Sequence, residues 1–235
     1  MPTTKRPPPD NLLLAALPVE VRRRLIGESA PVELNFAETL HESGDTIRDV
    51  YFPLNGFISL ITPADGRAQL EVGLVGSEGM LGVSVILGVD TSPLRALVQG
   101  TGTAWRVDVA HLSRVLEDSG PARALLNRYL YVLLTQLTQS AICTRFHLVE
   151  ARLARWLLMT RDRARANRFH VTHEFLAYML GVRRVGVTSA ASALQKRKLI
   201  HYARGDISIL NSRGLAAAAC KCYAADRKTY ARIMA

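Results

Sequence analysis

The sequence predicts an α+β chain: an amino-terminal antiparallel sandwich or barrel, one long helix, and a carboxyl-terminal helix-turn-helix followed by a hairpin. Three observations carry this. Between Val32 and Asp108, short apolar or alternating runs such as VYFPL, FISLIT, QLEVGLV and LRALVQ are punctuated by Gly44-Asp45, Asn55-Gly56, Asp65-Gly66, Gly76-Ser77 and Gly100 with Gly102. That texture fits about eight short strands joined by tight turns. From Pro121 to Arg145 the pattern becomes helical, with the proline tolerated in the first turn. From Thr172 to Lys198 two short amphipathic helices flank Gly181.

The elements follow in order. Residues 1–11, with Pro2, Pro7, Pro8 and Pro9, are expected to be a disordered arm. Leu12 to Leu25 reads as one or two short helices broken at Leu17-Pro18. A β domain closes at residue 120, a dimerisation helix spans 121–145, and a winged domain fills 146–235. On the long helix Leu126, Leu130, Leu133 and Leu137 alternate four and three apart, the spacing of a seam between two copies. A second stripe of Leu125, Tyr129, Val132 and Ile142 widens the apolar surface. One face can lie on the β domain while the other meets an identical helix; the alternative is a helix buried wholly in its own chain.

Leu148 to Asp162 reads as the first helix of the winged domain, followed by a linker in which Arg161, Arg163, Arg165 and Arg168 could reach phosphates. Thr172 offers an N-cap hydroxyl; Phe175, Leu176, Met179 and Leu180 share a face; Gly181 can adopt the angles that stop the helix. In the second helix Val187, Ala190, Ala191 and Leu194 form a stripe for burial. The opposite side carries Arg184, Val185, Thr188, Ser189 and Ser192, with Arg183 before them and Lys196 beyond. Short side chains beside a forked cation let a helix enter a major groove. Thr172 and His173 are placed near phosphates. Gly205-Asp206 turns a hairpin, and Gly214 to Ala231 is expected to be one closing helix.

Charge is distributed to match. From Phe146 onward there are 17 Lys and Arg against 5 Asp and Glu, whereas residues 1–145 hold 13 against 15. A basic end on a near-neutral body suits counterion release from double-stranded DNA. The apolar stretch before Pro18 is too short for a signal-peptide core, and no segment approaches a membrane span; a cytoplasmic protein with no membrane partner is expected. Cys143, Cys220 and Cys222 are neither an even disulfide set nor spaced along the chain like metal ligands. Reduced thiols follow, with Cys143 a buried inert thiol or an oxidisable one near the hinge. His41, His111, His147, His170, His173 and His201 are scattered, so no metal and no cofactor are expected.

The order of these elements, with VYFPLNGFISL, the GMLG turn and the block from RFHLVEARLARWLL through GVRRVGVTSAASALQKRKLI, resembles the Crp/Fnr family of bacterial transcription regulators over roughly residues 12–215. The resemblance implies a jelly-roll-like β-roll sensor, a homodimer and a palindromic promoter site, with RNA polymerase as a further partner. It places Arg184 on the first base-reading arginine of the family, Val185 on its glutamate and Ser189 on its second arginine, so one of three polar readers remains. It also places an effector pocket at Gly79, Met80, Leu81, Gly82 and Arg95. In that pocket Met80 stands where a ribose-binding carboxylate is usual, and Arg95 falls one residue late, which on a strand is the other face. Cyclic AMP in the usual mode is therefore not expected; a different small-molecule effector, a cyclic nucleotide in an atypical pocket, or none remains open. The clustered cysteines of an amino-terminal iron-sulfur sensor are absent before Cys143.

Two other classes compete with this reading. A cupin-like enzyme would need two histidines and a carboxylate on adjacent strands, and the β region offers only His41 beside Glu42. No nucleophile-base pair or phosphate-cradling loop is evident. A scaffold that dimerises through the long helix without reading DNA is the remaining alternative.

Overall fold

The computed structural model describes residues 11–63 and 69–235; the proline arm and the Asp65-Gly66 turn lie outside them. Asn11, assigned to the arm, is instead buried: its Oδ1 accepts from the Leu14 amide, and its Nδ2 donates to the carbonyls of Pro53 and Gly79. A buried amide with three partners is anchored. It starts α1 (Leu12–Ala16), and Pro18 separates α1 from α2 (Val19–Gly27).

Seven strands follow among the described residues, where about eight were expected. β1 (Ala30–Leu34), β7 (Gly102–Asp108) and β3 (Asp49–Pro53) form one antiparallel sheet in the order β1-β7-β3. β2 (Thr39–His41), β6 (Arg95–Gly100), β4 (Phe57–Pro63) and β5 (Gln69–Val75) form the second in the order β2-β6-β4-β5. Val83–Leu87, between β5 and β6, is a 3-10 turn rather than a strand. Ile58, Leu34, Ala96, Val98 and Ala104 pack between the sheets.

Sequence reading missed α3 (Val109–Glu117), capped by Asp108 and amphipathic over little more than two turns. α4 (Gly120–Phe146) then runs unbroken, with Ser119 as N-cap and the proline in its first turn. Its apolar positions divide in a way that spacing did not reveal. Leu125, Leu126, Tyr129 and Leu133 are buried in the roll's own core with Val50, Phe52 and Met80. The predicted seam is therefore corrected: Leu126 and Leu133 are spent inside the chain, and Leu130 and Leu137 are half-buried. Tyr131, Leu134 and Ile142 stand out instead, at 48%, 54% and 44% exposure.

After a break at His147-Leu148 come α5 (Val149–Ala164), β8 (Arg168–His170), α6 (His173–Leu180), α7 (Arg184–Lys196), β9 (Ile200–Ala203) and β10 (Asp206–Ile209). The wing is a three-stranded sheet in the order β8-β10-β9, with Arg204 and Gly205 both at positive φ in the hairpin turn. The expected closing helix is two, α8 (Ser212–Ala218) and α9 (Lys221–Met234). Ala219 and Cys220 take extended ψ angles of 153° and 158° between them. That corner delivers α9 onto α4, where Tyr230 Oη donates to the Glu78 carbonyl and Met234 reaches the roll's core. The last helix thus joins the β-roll rather than only the winged domain.

Candidate nucleic-acid interface and hinge

The helix-turn-helix is built by local chemistry. Thr172 Oγ1 accepts from the Phe175 amide, Gly181 ends α6 at φ 60°, and the Val182 amide returns to the Ala177 carbonyl. An L residue at Gly181 would be strained, and its Cβ would meet Leu70 at 3.0 Å. Val187, Ala190, Ala191 and Leu194 are buried with Leu153, Leu157, Leu176 and Ile207. This fixes the rotation of α7 and leaves Arg184, Val185, Thr188, Ser189, Ser192 and Lys196 exposed on the other side, with Arg183 exposed at the N-cap. Val185 is 69% exposed.

His173 sits differently from the sequence expectation. Its Nδ1 lies 3.0 Å from Thr188 Oγ1, and its ring stacks on Tyr202 at 4.2 Å. Burial, then the Arg184 charge, lowers its pKa below the ordinary imidazole value. It links α6, α7 and the wing. Thr172 is exposed but occupied by capping.

The expected arginine linker is corrected as well. Arg161 and Arg163 lie inside α5, Arg161 paired with Asp162 and reaching Tyr223 Oη. Arg163 is a largely buried tie to the roll, with Nε 3.0 Å from both Glu78 Oε1 and the Leu74 carbonyl. Gly76 lets this approach happen, since a Cβ there would lie 2.4 Å from Arg163 Cβ. Beside it, Glu71 accepts from Ser59 Oγ at 2.6 Å and from Trp156 Nε1 at 2.7 Å, bridging β5 to α5. Burial pushes this carboxyl up to about 7. Neither tie was foreseen, because a lone glutamate in a strand carries no sequence signal for a partner 85 residues on.

The expected effector residues are packed against the protein. Met80 is wholly buried with Val50, Phe52 and Tyr129, and Leu81 joins the inter-sheet core. A Cβ on Gly79 would lie 1.8 Å from Tyr129 Oη, and Gly82 adopts φ 88°. Arg95 is engaged by Thr39 at 3.0 Å and by Glu42 at 3.4 Å. That pairing also takes up the Glu42 carboxylate of the cupin-like alternative. A cleft of about 320 Å³ lies elsewhere, between α4, α5 and α9, lined by Glu78, Gln136, Arg163, Tyr223, Asp226 and Tyr230.

At the hinge the fold gathers residues that chain order keeps apart. Cys143 and His147 are one turn apart at the end of α4, and Cys220 and Cys222 flank the start of α9. Their ligand atoms all lie within 4.8 Å of one another. Cys143 Sγ is 3.5 Å from Cys220 Sγ, and Cys222 Sγ is 3.5 Å from His147 Nδ1. The contact with Cys220 lowers the Cys143 thiol below the ordinary value, while Cys220 is raised by the same contact and by burial. The expectation of reduced cysteines without metal-ligand spacing and of scattered histidines is revised: these four residues could hold a metal ion.

Known proteins agree with the winged domain and the overall architecture. Residues 151–218 match the family model for a Crp-like helix-turn-helix domain. No curated protein is matched by the sequence. Among solved structures, FixK2 from Bradyrhizobium japonicum superposes with a TM-score of 0.70 at 14% identity, covering 82% of this chain and 98% of that one. The c-di-GMP-responsive global regulator CLP of Xanthomonas campestris gives 0.66 at 18%, covering 82% and 99%. A CRP-family transcriptional regulator from Thermus thermophilus gives 0.65 at 17%, covering 80% and 97%. At such identities the likeness is one of fold.

Proposed function

We propose, from a Crp-like helix-turn-helix domain carried on the fold of Crp/Fnr transcription regulators, that this chain is a transcription regulator that binds a palindromic duplex site as a homodimer. The observation that carries the reading is the two-sidedness of α7. One side is locked into the core by Val187, Ala190, Ala191 and Leu194, and the other presents Arg184, Val185, Thr188, Ser189 and Ser192 to solvent.

Each exposed group has a definite role in a major groove. The Arg184 guanidinium can donate two hydrogen bonds to the O6 and N7 of one guanine, worth about 1–3 kcal/mol of discrimination. Val185 offers an apolar surface suited to a thymine methyl. Ser189 and Ser192 are short enough for close approach and donate or accept without strong preference, while Thr188, its hydroxyl held by the Arg184 carbonyl and by His173, adds a small surface beside them. Arg183 and Lys196 lie at the two ends of the helix, where phosphates flank the groove. The 17 to 5 excess of basic residues after Phe146 supplies long-range attraction.

Dimerisation through α4 is supported by its free face rather than by the predicted seam. Asn127, Tyr131, Leu134, Thr138 and Ala141 alternate four and three apart and are exposed, flanked by half-buried Leu130 and Leu137. Pairing along this line would set two winged domains in two-fold relation, as half-sites one helical turn apart require. The β-roll would act by shifting the population of winged-domain orientations about His147-Leu148.

Fluorescence anisotropy with labelled duplex DNA at several salt concentrations tests the reading. The logarithm of the binding constant should fall linearly with log salt, and Arg183→Ala should lower the magnitude of that slope by about one. Binding that is absent, or that ignores salt, would count against it.

A further inference from the structure

We propose that Cys143, His147, Cys220 and Cys222 form a mononuclear zinc site that clamps α9 to the end of α4 at the hinge. Tetrahedral zinc, with bonds of about 2.3 Å to sulfur and about 2.0–2.1 Å to nitrogen, needs ligand atoms about 3.8 Å apart between sulfurs and about 3.5 Å apart between sulfur and nitrogen. The observed separations of 3.5 Å for Cys143–Cys220 and 3.5 Å for Cys222–His147, inside a span of 4.8 Å, match those edges. The three thiols are buried and His147 is half-buried, so the site is closed on four protein ligands, as structural zinc sites are. Such a compact S₃N set suits a single borderline-soft ion; oxygen-seeking magnesium or calcium would find no carboxylate in it.

An independent feature is the surrounding charge. Arg152 and Arg155 are both buried and line the same pocket as Cys143. One carboxylate, Asp226, serves Arg155 at 2.8 Å, while Arg152 donates to the Leu180 carbonyl. Among the described residues Arg155 Nε has no hydrogen-bond partner, although its side chain is nine-tenths buried. Glu71 lines the same pocket, but burial pushes its carboxyl up to about 7, so two buried cations face one firm carboxylate and a second group held partly protonated, an under-compensated balance. On metal binding the three cysteines give up to solvent whatever thiol protons they still hold. The centre of Zn²⁺, three thiolates and a neutral imidazole then carries one negative charge, which balances the second arginine. Gln139 Nε2, 2.9 Å from Cys222 Sγ, supplies the outer hydrogen bond that orients a thiolate ligand.

The ion ties residues 143 and 147 to 220 and 222, on either side of the winged domain's single continuous passage through 149–218. It therefore fixes both chain crossings into that domain. The claim does not depend on DNA binding, and its failure would leave the regulator reading intact.

Elemental analysis of the reduced full-length protein, purified without chelators, should find about one zinc per chain. Cobalt exchanged into the site should give thiolate charge-transfer absorption and the intense visible bands of tetrahedral coordination. Cys143→Ser and His147→Gln should each lower zinc occupancy under chelator competition. Gln139→Ala, which leaves all four ligands in place, should weaken binding about tenfold. Reduced protein of native far-ultraviolet dichroism that retains no zinc and gives no tetrahedral cobalt spectrum overturns the proposal. Zinc retained undiminished in folded Cys143→Ser and His147→Gln, or a Cys143–Cys220 disulfide found in place of metal in protein purified under reducing conditions, overturns it as well.

Discussion

At the scale of single residues, the solvent-facing side of α7 was legible because helical spacing alone separates it from the core. Val187 and Leu194 had to be buried, and that fixed Arg184 and Ser189 outward. Arg184→Ala should therefore flatten base preference at one position per half-site, by about 1–3 kcal/mol, and leave the others unchanged. Quantitative binding to single-substituted duplexes measures this. Glu71 was not legible, since its partners Ser59 and Trp156 come from a neighbouring strand and a distant helix. Its carboxyl is raised from 4.5 to about 7 by burial, so the folded state holds a proton that the unfolded state has lost between those values. The stability this group contributes is fully present below about pH 4.5 and is lost as pH rises through about 7, to a maximum of about 3 kcal/mol. Glu71→Gln keeps an acceptor for Trp156 and cannot ionise. Urea titrations should show wild type losing stability relative to the variant between pH 5 and pH 8, and parallel profiles would refute the assignment.

Among the elements, α4 shows how far periodicity reaches. The helix and its ends were readable from Pro121, from the missing breakers and from the 3.6 period, but a helix with apolar residues nearly all round does not say which neighbour covers which stripe. The roll takes Leu126 and Leu133, α9 takes the side of Gln136 and Cys143, and Leu134 remains outside. Leu134→Lys should separate a dimer while leaving the protomer folded, as light scattering and circular dichroism would report. Leu133→Lys should instead unfold the roll, because an unpaired buried charge costs several kcal/mol. The short elements escaped for a related reason. β8 spans too few residues for a period to emerge, whereas α3 does carry an amphipathic period behind its Asp108 cap; the alanine-rich run 214–231 hides the corner at Ala219-Cys220 because alanine favours helix on both sides of it.

Across the whole molecule, the proposed function depends on how the winged domain is held to the roll. The order of roll, long helix and winged domain was readable from the switch of period along the chain. The hinge contacts were not, since each joins residues scores of positions apart: Arg163 to Glu78, Trp156 to Glu71, and Cys143 to Cys220. Arg163→Ala would leave Glu78 partly buried without its cation, a loss of about 3 kcal/mol. Hydrogen exchange should then quicken at the β5 turn and the end of α5, and unfolding should split toward two transitions. The central claim, that paired α7 helices read a duplex, is tested most directly by selecting bound DNA from a random pool. The account predicts enrichment of an inverted repeat with half-site centres about 34 Å apart, or a multiple of that, with one position in each half losing its preference in Arg184→Ala. A pool that stays unenriched, or a site without two-fold symmetry that is unchanged by that substitution, would contradict it.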